Sequence, residues 1–286
     1  MRILVTGAAG QVGREVTELL ARAPHHEVLG ASRAELDLAD RDQVLGAVTG
    51  WRPDLVLNLA AMTAVDLCET EVDLAFRVNS LGARHVADGA RRVGAHVVHV
   101  STDYVFDGAK QAPYVEWDPP SPRSMYGRSK LGGEVELATS GCSWTVARTS
   151  WVCGFHGANM VKTVLRLAGG EGPLRFVDDQ RGHPTFADDL AGMLVRLGVE
   201  RRPGLFHVTN QGAVSWFELV REILALAGGD PARVEPISSA DLVPPRPAPR
   251  PANSVLDNAA LRLSDVALLD DFRAPLERLV HRLQAT

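Results

Sequence analysis

Short apolar runs rich in β-branched residues alternate, through the first half of the chain, with longer segments of helical periodicity. The runs fall at Ile3–Thr6, Glu27–Ala31, Leu55–Leu59, Val97–Val100 and Thr145–Thr149, and their composition predicts strands. Between them, stretches such as Asp40–Gly50 and Val72–Arg92 repeat apolar positions with the helical period. Strand and helix in strict alternation predict a parallel, doubly wound α/β sheet. Leu205–Thr209, preceded by the helical Asp188–Leu197, reads as one more strand of it. The rhythm lapses around Cys153–Thr185 and again from about Val214, so the expected division is a sheet domain of residues 1–152 plus about 186–212. A smaller α/β lobe, about 153–185 and 213–286, then covers the carboxyl ends of the strands and leaves a ligand cleft between the two. There is no internal repeat, and the one low-complexity stretch is Pro244–Pro251.

The first run leads directly into Gly7-Ala-Ala-Gly10-Gln11-Val12-Gly13, three glycines spaced three apart and followed by a helical pattern. In that context Gly7 permits a tight turn, Gly10 lets the backbone approach a pyrophosphate, and Gly13 allows close helix packing, with the helix N-terminus facing the anion. This is a Rossmann-type dinucleotide signature. The second strand then decides between cofactors. An acidic residue at its end would select NAD through the adenosine ribose, whereas Gly30-Ala-Ser32-Arg33 offers an arginine suited to a 2′-phosphate. NADPH is therefore the expected cofactor and NADH the alternative. Asp37 and Leu38 are placed against the adenine edge; Asp37 otherwise reads as a turn aspartate before the next helix.

Composition narrows the partners. The 286 residues are 45% hydrophobic and 23% charged, enough for a substantial core, and a net charge of −5 gives no general attraction to nucleic acid or anionic membrane. No apolar run approaches bilayer length, and the first strand pattern opens at Arg2, so the expectation is a cytoplasmic protein without a signal peptide. Cys68, Cys142 and Cys153 form no CxxC pair and read as ordinary thiols. His96 and His99 alternate along a strand and read as structural.

The chemistry is carried by Ser101-Thr102-Asp103 at the end of the fourth run and by Tyr126 and Lys130, four apart on a helix face. A phenol beside an ammonium is expected to have a lowered pKa and to pass its proton to a carbonyl oxygen, with Thr102 polarising the same oxygen.

At these residues the chain resembles the extended short-chain dehydrogenase/reductases and, within them, the dTDP-4-dehydrorhamnose reductase family. The matching stretches are Gly7–Gly13, Ala60–Asp66, Ser101–Gly108, Tyr126–Lys130, Arg148–Val152, Asp179–Thr185 and Arg250–Leu256. The resemblance implies reduction of the C4 ketone of a nucleotide-linked 6-deoxy sugar by Thr102, Tyr126 and Lys130. It places Gly7, Gly10, Gln11, Val12, Ser32, Arg33, Asp37, Leu38, Ala60, Ala61, Thr63, Asn79, Tyr126 and Lys130 on the cofactor. Val65, Asp66, Thr102, Asp103, Trp151, Arg250, Asn253 and Ser254 face the nucleotide sugar, Trp151 packing on the sugar and the Arg250–Ser254 segment helping to hold the diphosphate. Each has a plainer reading: Trp151 as core, Arg250 as a solvated residue of a proline-rich linker, Asn79 as a support of the fold or of the catalytic loop.

Two departures bear on the sugar pocket, Met62 where the family commonly has Tyr or His, and Cys153 where a Tyr is common. Some relatives pair subunits through a metal held by acidic residues; Glu15 and Asp188 fit that scheme, but Leu279–Thr286 has no carboxylate side chain, so no structural metal is expected and the protein is a monomer or a homodimer. Two other functions compete. A 4,6-dehydratase normally carries an Asp-Glu pair after the catalytic Thr, where this chain has Asp103-Tyr104. The subfamily also resembles the NADP-binding regulatory β-subunit of methionine adenosyltransferase, and retention of Thr102, Tyr126 and Lys130 weighs against such a purely binding role.

Overall fold

The computed structural model describes residues 1–23 and 25–285. Six strands form one parallel sheet: β1 (Arg2–Thr6), β2 (Glu27–Ala31), β3 (Leu55–Asn58), β4 (His96–Thr102), β5 (Ser143–Thr149) and the strand Gly204–His207. Across the sheet the order is β2, β1, β3, β4, β5, Gly204–His207. The chain therefore reverses its direction of winding between β1 and β3, and a doubly wound sheet opens a crevice at the carboxyl ends of such a pair.

Alternation along each strand fills two cores. Ile3 and Val5 point to one face, where they pack with Val16, Leu20, Leu190, Leu194 and Leu197. Leu4 and Val56 point to the other, against Val44, Val48, Val86 and Val97. The flanking helices are α1 (Gln11–Ala21), α2 (Arg41–Trp51), α3 (Val72–Phe76), α4 (Gly82–Val93), α5 (Met125–Ala138) and Ala187–Val199. Capping side chains fix two of them: Asp40 accepts from the Gln43 N–H and starts α2, and Ser124 accepts from the Gly127 N–H and starts α5.

Two predicted elements came out differently. β4 runs from His96 to Thr102, longer than its apolar run, because the His96 ring is buried between Ser143 Oγ (2.7 Å) and Thr145 Oγ1 (2.8 Å) and so extends the strand with satisfied polar groups. The periodic stretch Val72–Arg92 is not one helix but α3, a π-helical turn at Arg77–Leu81, and α4. Asn79 sits in that π turn, an irregularity that often marks a functional position.

A third apolar cluster stands apart from the sheet. Val161, Val164, Leu219, Ile223, Phe272 and Leu276 join the helices Met160–Ala168, Trp216–Leu226 and Arg273–Gln284. The parallel strand pair Leu174–Val177 and Val234–Ile237 packs alongside. No helix among the described residues is long and apolar enough to cross a membrane.

Candidate active site

The crevice between β1 and β3 opens into a cavity of about 750 Å³. At its cofactor end the backbone geometry is that of a dinucleotide cradle. Gly7 has a φ of +67°, and a Cβ there would lie 2.8 Å from Ala60 at the end of β3. A Cβ on Gly13 would lie 2.2 Å from the Gly7 carbonyl oxygen, so α1 can press on the turn only with glycine there. The N-cap of α1 is Gly10, which gives no side-chain hydrogen bond, and the first N–H groups of the helix are left for a bound anion. Gly7, Gly10, Gln11, Val12, Arg33, Asp37, Leu38, Ala60, Ala61 and Thr63 all line this cavity. Ser32 does not; its N–H is taken by Glu35 Oε2 at 2.7 Å. Asn79 is also off the wall. Its carboxamide accepts from the Met62 N–H (2.8 Å) and donates to Met62 O (3.1 Å) and Ser129 Oγ (2.9 Å), which ties the loop after β3 to α5.

Thr102, Asp103, Tyr126 and Lys130 converge at the other end. The convergence rests on another close approach: a Cβ on Gly127 would lie 2.2 Å from the Tyr104 carbonyl oxygen, so only glycine lets the start of α5 meet the turn after β4. Thr102 Oγ1 donates to Asp103 Oδ1 (2.9 Å), accepts from the Tyr104 N–H (3.2 Å), and hydrogen-bonds to Tyr126. The ring of Tyr104 meets that of Tyr126 edge-on, with centroids 5.5 Å apart. Beneath them, Glu134 of α5 takes a two-pronged ion pair from Arg148 of β5 (2.9 and 2.7 Å) and a hydrogen bond from Ser101 (2.5 Å), which braces helix and strands together.

The electrostatics correct one expectation. The pKa of Tyr126 is not lowered on balance; burial dominates and raises the phenol well above its ordinary value, against the hydrogen bond from Thr102 and with nearby Asp103 acting in the same direction as burial. Lys130 Nζ instead donates to Val100 O at 2.6 Å and lies 3.3 Å from His99 Nε2. Burial brings the lysine down to about 8 and pushes Asp103 up to about 6. The site thus favours a neutral phenol, the form that can give a proton.

The predicted sugar-side residues divide. Val65, Thr102, Asp103 and Trp151 line the cavity. Trp151 has a φ of +45°, a conformation that strains a bulky residue, and its ring stacks on Trp216 with centroids 3.7 Å apart. Asp66 and Arg250 do not line it. They pair with each other through two hydrogen bonds (2.5 and 2.7 Å), and the guanidinium holds the Asp66 carboxyl below the usual range. An anion clamp at Arg250 would compete with that pair. Asn253 donates to Lys110 O (2.7 Å), and Ser254 donates to Arg181 O (3.3 Å) and also hydrogen-bonds to Asp103. This segment therefore ties the loop after β4 to the Arg181 strand and backs the catalytic turn. Met62 faces the cavity, whereas Cys153 is buried in the third apolar cluster and does not shape it.

Glu15 lies among charges of both signs, with Asp188 and Glu18 beside it as well as His156 and Arg282. His156 Nε2 lies 2.8 Å from Glu18 and 3.8 Å from Glu15, and Arg282, on the C-terminal helix, is 3.8 Å from Glu15. The C-terminal segment thus brings a cation, not a carboxylate, to this carboxylate pair.

The model of the family described as "RmlD substrate binding domain" matches residues 1–285. The chain belongs to this family. It is 42% identical over 281 residues to dTDP-4-dehydrorhamnose reductase of Streptomyces griseus, covering 96% of this chain and 91% of that protein. A probable dTDP-4,6-dihydroxy-2-methyloxan-3-one 4-ketoreductase of Streptomyces antibioticus is 41% identical over 280 residues, covering 96% and 93%. Among solved structures, dTDP-4-dehydrorhamnose reductase of Bacillus anthracis in complex with NADP superposes with a TM-score of 0.94 at 35% identity, covering 98% of this chain and 99% of that one.

Within this RmlD-type site, sequence reasoning missed Tyr104, Trp216 and Gly157, all on the cavity wall. Tyr104 adjoins the Thr102 motif and was within reach of it. Trp216 opens the helix Trp216–Leu226, and no local pattern ties it to the sheet.

Proposed function

We propose that this protein uses NADPH to reduce the C4 ketone of a nucleotide-linked 6-deoxy-4-keto sugar, converting dTDP-4-dehydro-L-rhamnose to dTDP-L-rhamnose. The observation that carries this reading is one cavity holding a glycine-rich dinucleotide cradle at one end and Thr102, Tyr126 and Lys130 at the other. When bound, the nicotinamide supplies the hydride.

The chain's own residues do the rest. The turn at Gly7–Gly10 and the N-terminus of α1 hold the pyrophosphate. Arg33, on the cavity wall just after β2, neutralises the 2′-phosphate and favours NADPH over NADH. The Thr102 and Tyr126 hydroxyls bind the ketone oxygen as charge develops on it, and Tyr126 gives that oxygen its proton. Lys130 supports Tyr126 and the nicotinamide ribose. The Trp151–Trp216 pair forms an aromatic wall for the sugar, whose apolar faces suit it. Residues 1–152 with about 186–212 serve as the cofactor domain, and 153–185 with 213–286 as the substrate lobe. The protein works in the cytoplasm as a monomer or homodimer, and without nucleic acid or membrane partners.

The test is to supply NADPH and enzymatically prepared dTDP-4-dehydro-L-rhamnose, follow NADPH loss, and identify the product by NMR. Formation of dTDP-L-rhamnose is the expected result. A folded protein that binds NADPH but leaves this sugar unreduced would overturn the substrate assignment.

A further inference from the structure

A row of buried polar side chains runs under the catalytic group, across β1, β3 and β4, and ends on Lys130. The Ala60 N–H donates to Thr6 Oγ1 (3.3 Å), and the Thr6 hydroxyl donates to Asn58 Oδ1 (2.7 Å). Asn58 Nδ2 meets His99 Nδ1 at 2.9 Å, and His99 Nε2 lies 3.3 Å from Lys130 Nζ. Thr6, Asn58, His99 and Lys130 are each 1–2% exposed, so no solvent satisfies them. Gly133 makes the last contact reachable: a Cβ there would lie 3.2 Å from His99 Nε2 and 2.3 Å from Asn79 O.

The row has a direction. The Thr6 proton goes to Asn58 Oδ1, which turns the Asn58 amide nitrogen toward His99. His99 Nδ1 then accepts, and the imidazole proton sits on Nε2, aimed at Lys130. An N–H facing an ammonium is two donors with no acceptor; facing an amine, it is a hydrogen bond.

We propose that His99, oriented by Asn58 and Thr6, is a positioning residue for Lys130 that presents an N–H to its nitrogen and so favours the neutral amine at the floor of the cavity. Lys130 would thereby gain and lose its proton nearer working pH than an exposed lysine does. The lowering of Lys130 to about 8, caused first by burial, is consistent with this. The other groups around Lys130 are Tyr126 and Glu134 on its own helix, Asp103 at the end of β4 on the shared cavity wall, and Arg148 on β5. Of these, Glu134 favours the ammonium, and it is held by Arg148.

The catalytic meaning of this inference rests on the ketoreductase reading, but its test does not. Asn58→Asp still accepts from Thr6 and also accepts from His99 Nδ1–H, which reverses the row and turns the His99 Nε2 lone pair toward Lys130. His99→Gln, whose amide can present its oxygen to Lys130, acts in the same direction without a buried charge. Two quantities are measured against pH: kcat/KM for the keto sugar, and NADPH affinity by fluorescence. In both folded variants the alkaline break of each is expected to move up by about one pH unit or more, since a hydrogen bond to a charged group now favours the ammonium. Breaks that stay at the wild-type pH in both variants would overturn the inference. A wild type without keto-sugar turnover, whose NADPH break nevertheless moves in the variants, would overturn the substrate reading and support this one.

Discussion

At the scale of single residues, burial outweighs neighbouring charge. It raises Tyr126 although Lys130 is one helical turn away, and it lowers His96 and His183 to about 4 and His207 to about 3, with His99 also well below its ordinary value. These four histidines are neutral in the fold but take up protons near 6.5 once unfolded. The unfolded chain therefore binds more protons between about pH 6.5 and 4, and stability falls as pH drops through that window. Each fully neutral histidine contributes at most on the order of 2–3 kcal/mol at pH 4.5. Asp103, raised to about 6, opposes this, because its protonation is favoured in the fold. Burial raises Glu15, Glu116, Asp189 and Glu222 as well, which acts with Asp103, whereas hydrogen bonds lower Asp66, Asp107 and Asp257, which adds to the loss on acidification; the large histidine shifts decide the sign and leave a net acid lability. The melting temperature is expected to fall by several degrees or more between pH 7 and 4.5, and a constant or rising value would contradict the assignment of these histidines as neutral.

At the scale of elements, the site is made by close approaches that only glycine allows. Gly127→Ala would push the start of α5 from the Tyr104 carbonyl, displacing Tyr126 from Thr102. A shift of about 1 Å at reacting groups costs roughly 10²-fold in turnover, so kcat should fall by about that factor while NADPH affinity changes far less. Gly46→Ala is the control: a Cβ there meets nothing within 4 Å, and α2 should gain up to about 1 kcal/mol in helix propensity with kcat unchanged. A Gly127→Ala enzyme with wild-type kcat would contradict this account of the approach. The elements themselves were largely legible in the sequence, because Ile3–Thr6 and Leu55–Leu59 are short apolar runs suited to a sheet interior, and Glu27–Ala31, though mostly exposed at the sheet's edge, keeps the alternation of strand and helix. The π turn at Arg77–Leu81 was not, since periodicity over twenty residues barely registers one extra residue. The start of β4 was hidden by His96, whose partners lie on β5, 47 and 49 residues away.

At the scale of the molecule, the doubly wound sheet sets the glycine-rich cradle and Tyr126 at two ends of one crevice, and the third apolar cluster supplies its far wall through Trp151 and Trp216. That Thr102, Tyr126 and Lys130 meet in one cavity could be read from the chain because Thr102 ends a strand and Tyr126 and Lys130 share a helix face. The sugar side could not be read as well: Arg250 and Asp66 stand in matching motifs, but their mutual ion pair joins residues 184 apart and depends on how the segments pack. The most direct test of the whole reading compares wild type with Tyr126→Phe for NADPH-dependent reduction of dTDP-4-dehydro-L-rhamnose, with NADPH binding measured in parallel. The account predicts turnover lowered by roughly 10²–10⁴-fold with NADPH affinity largely kept, as loss of a general acid does; near wild-type turnover in the variant would contradict it.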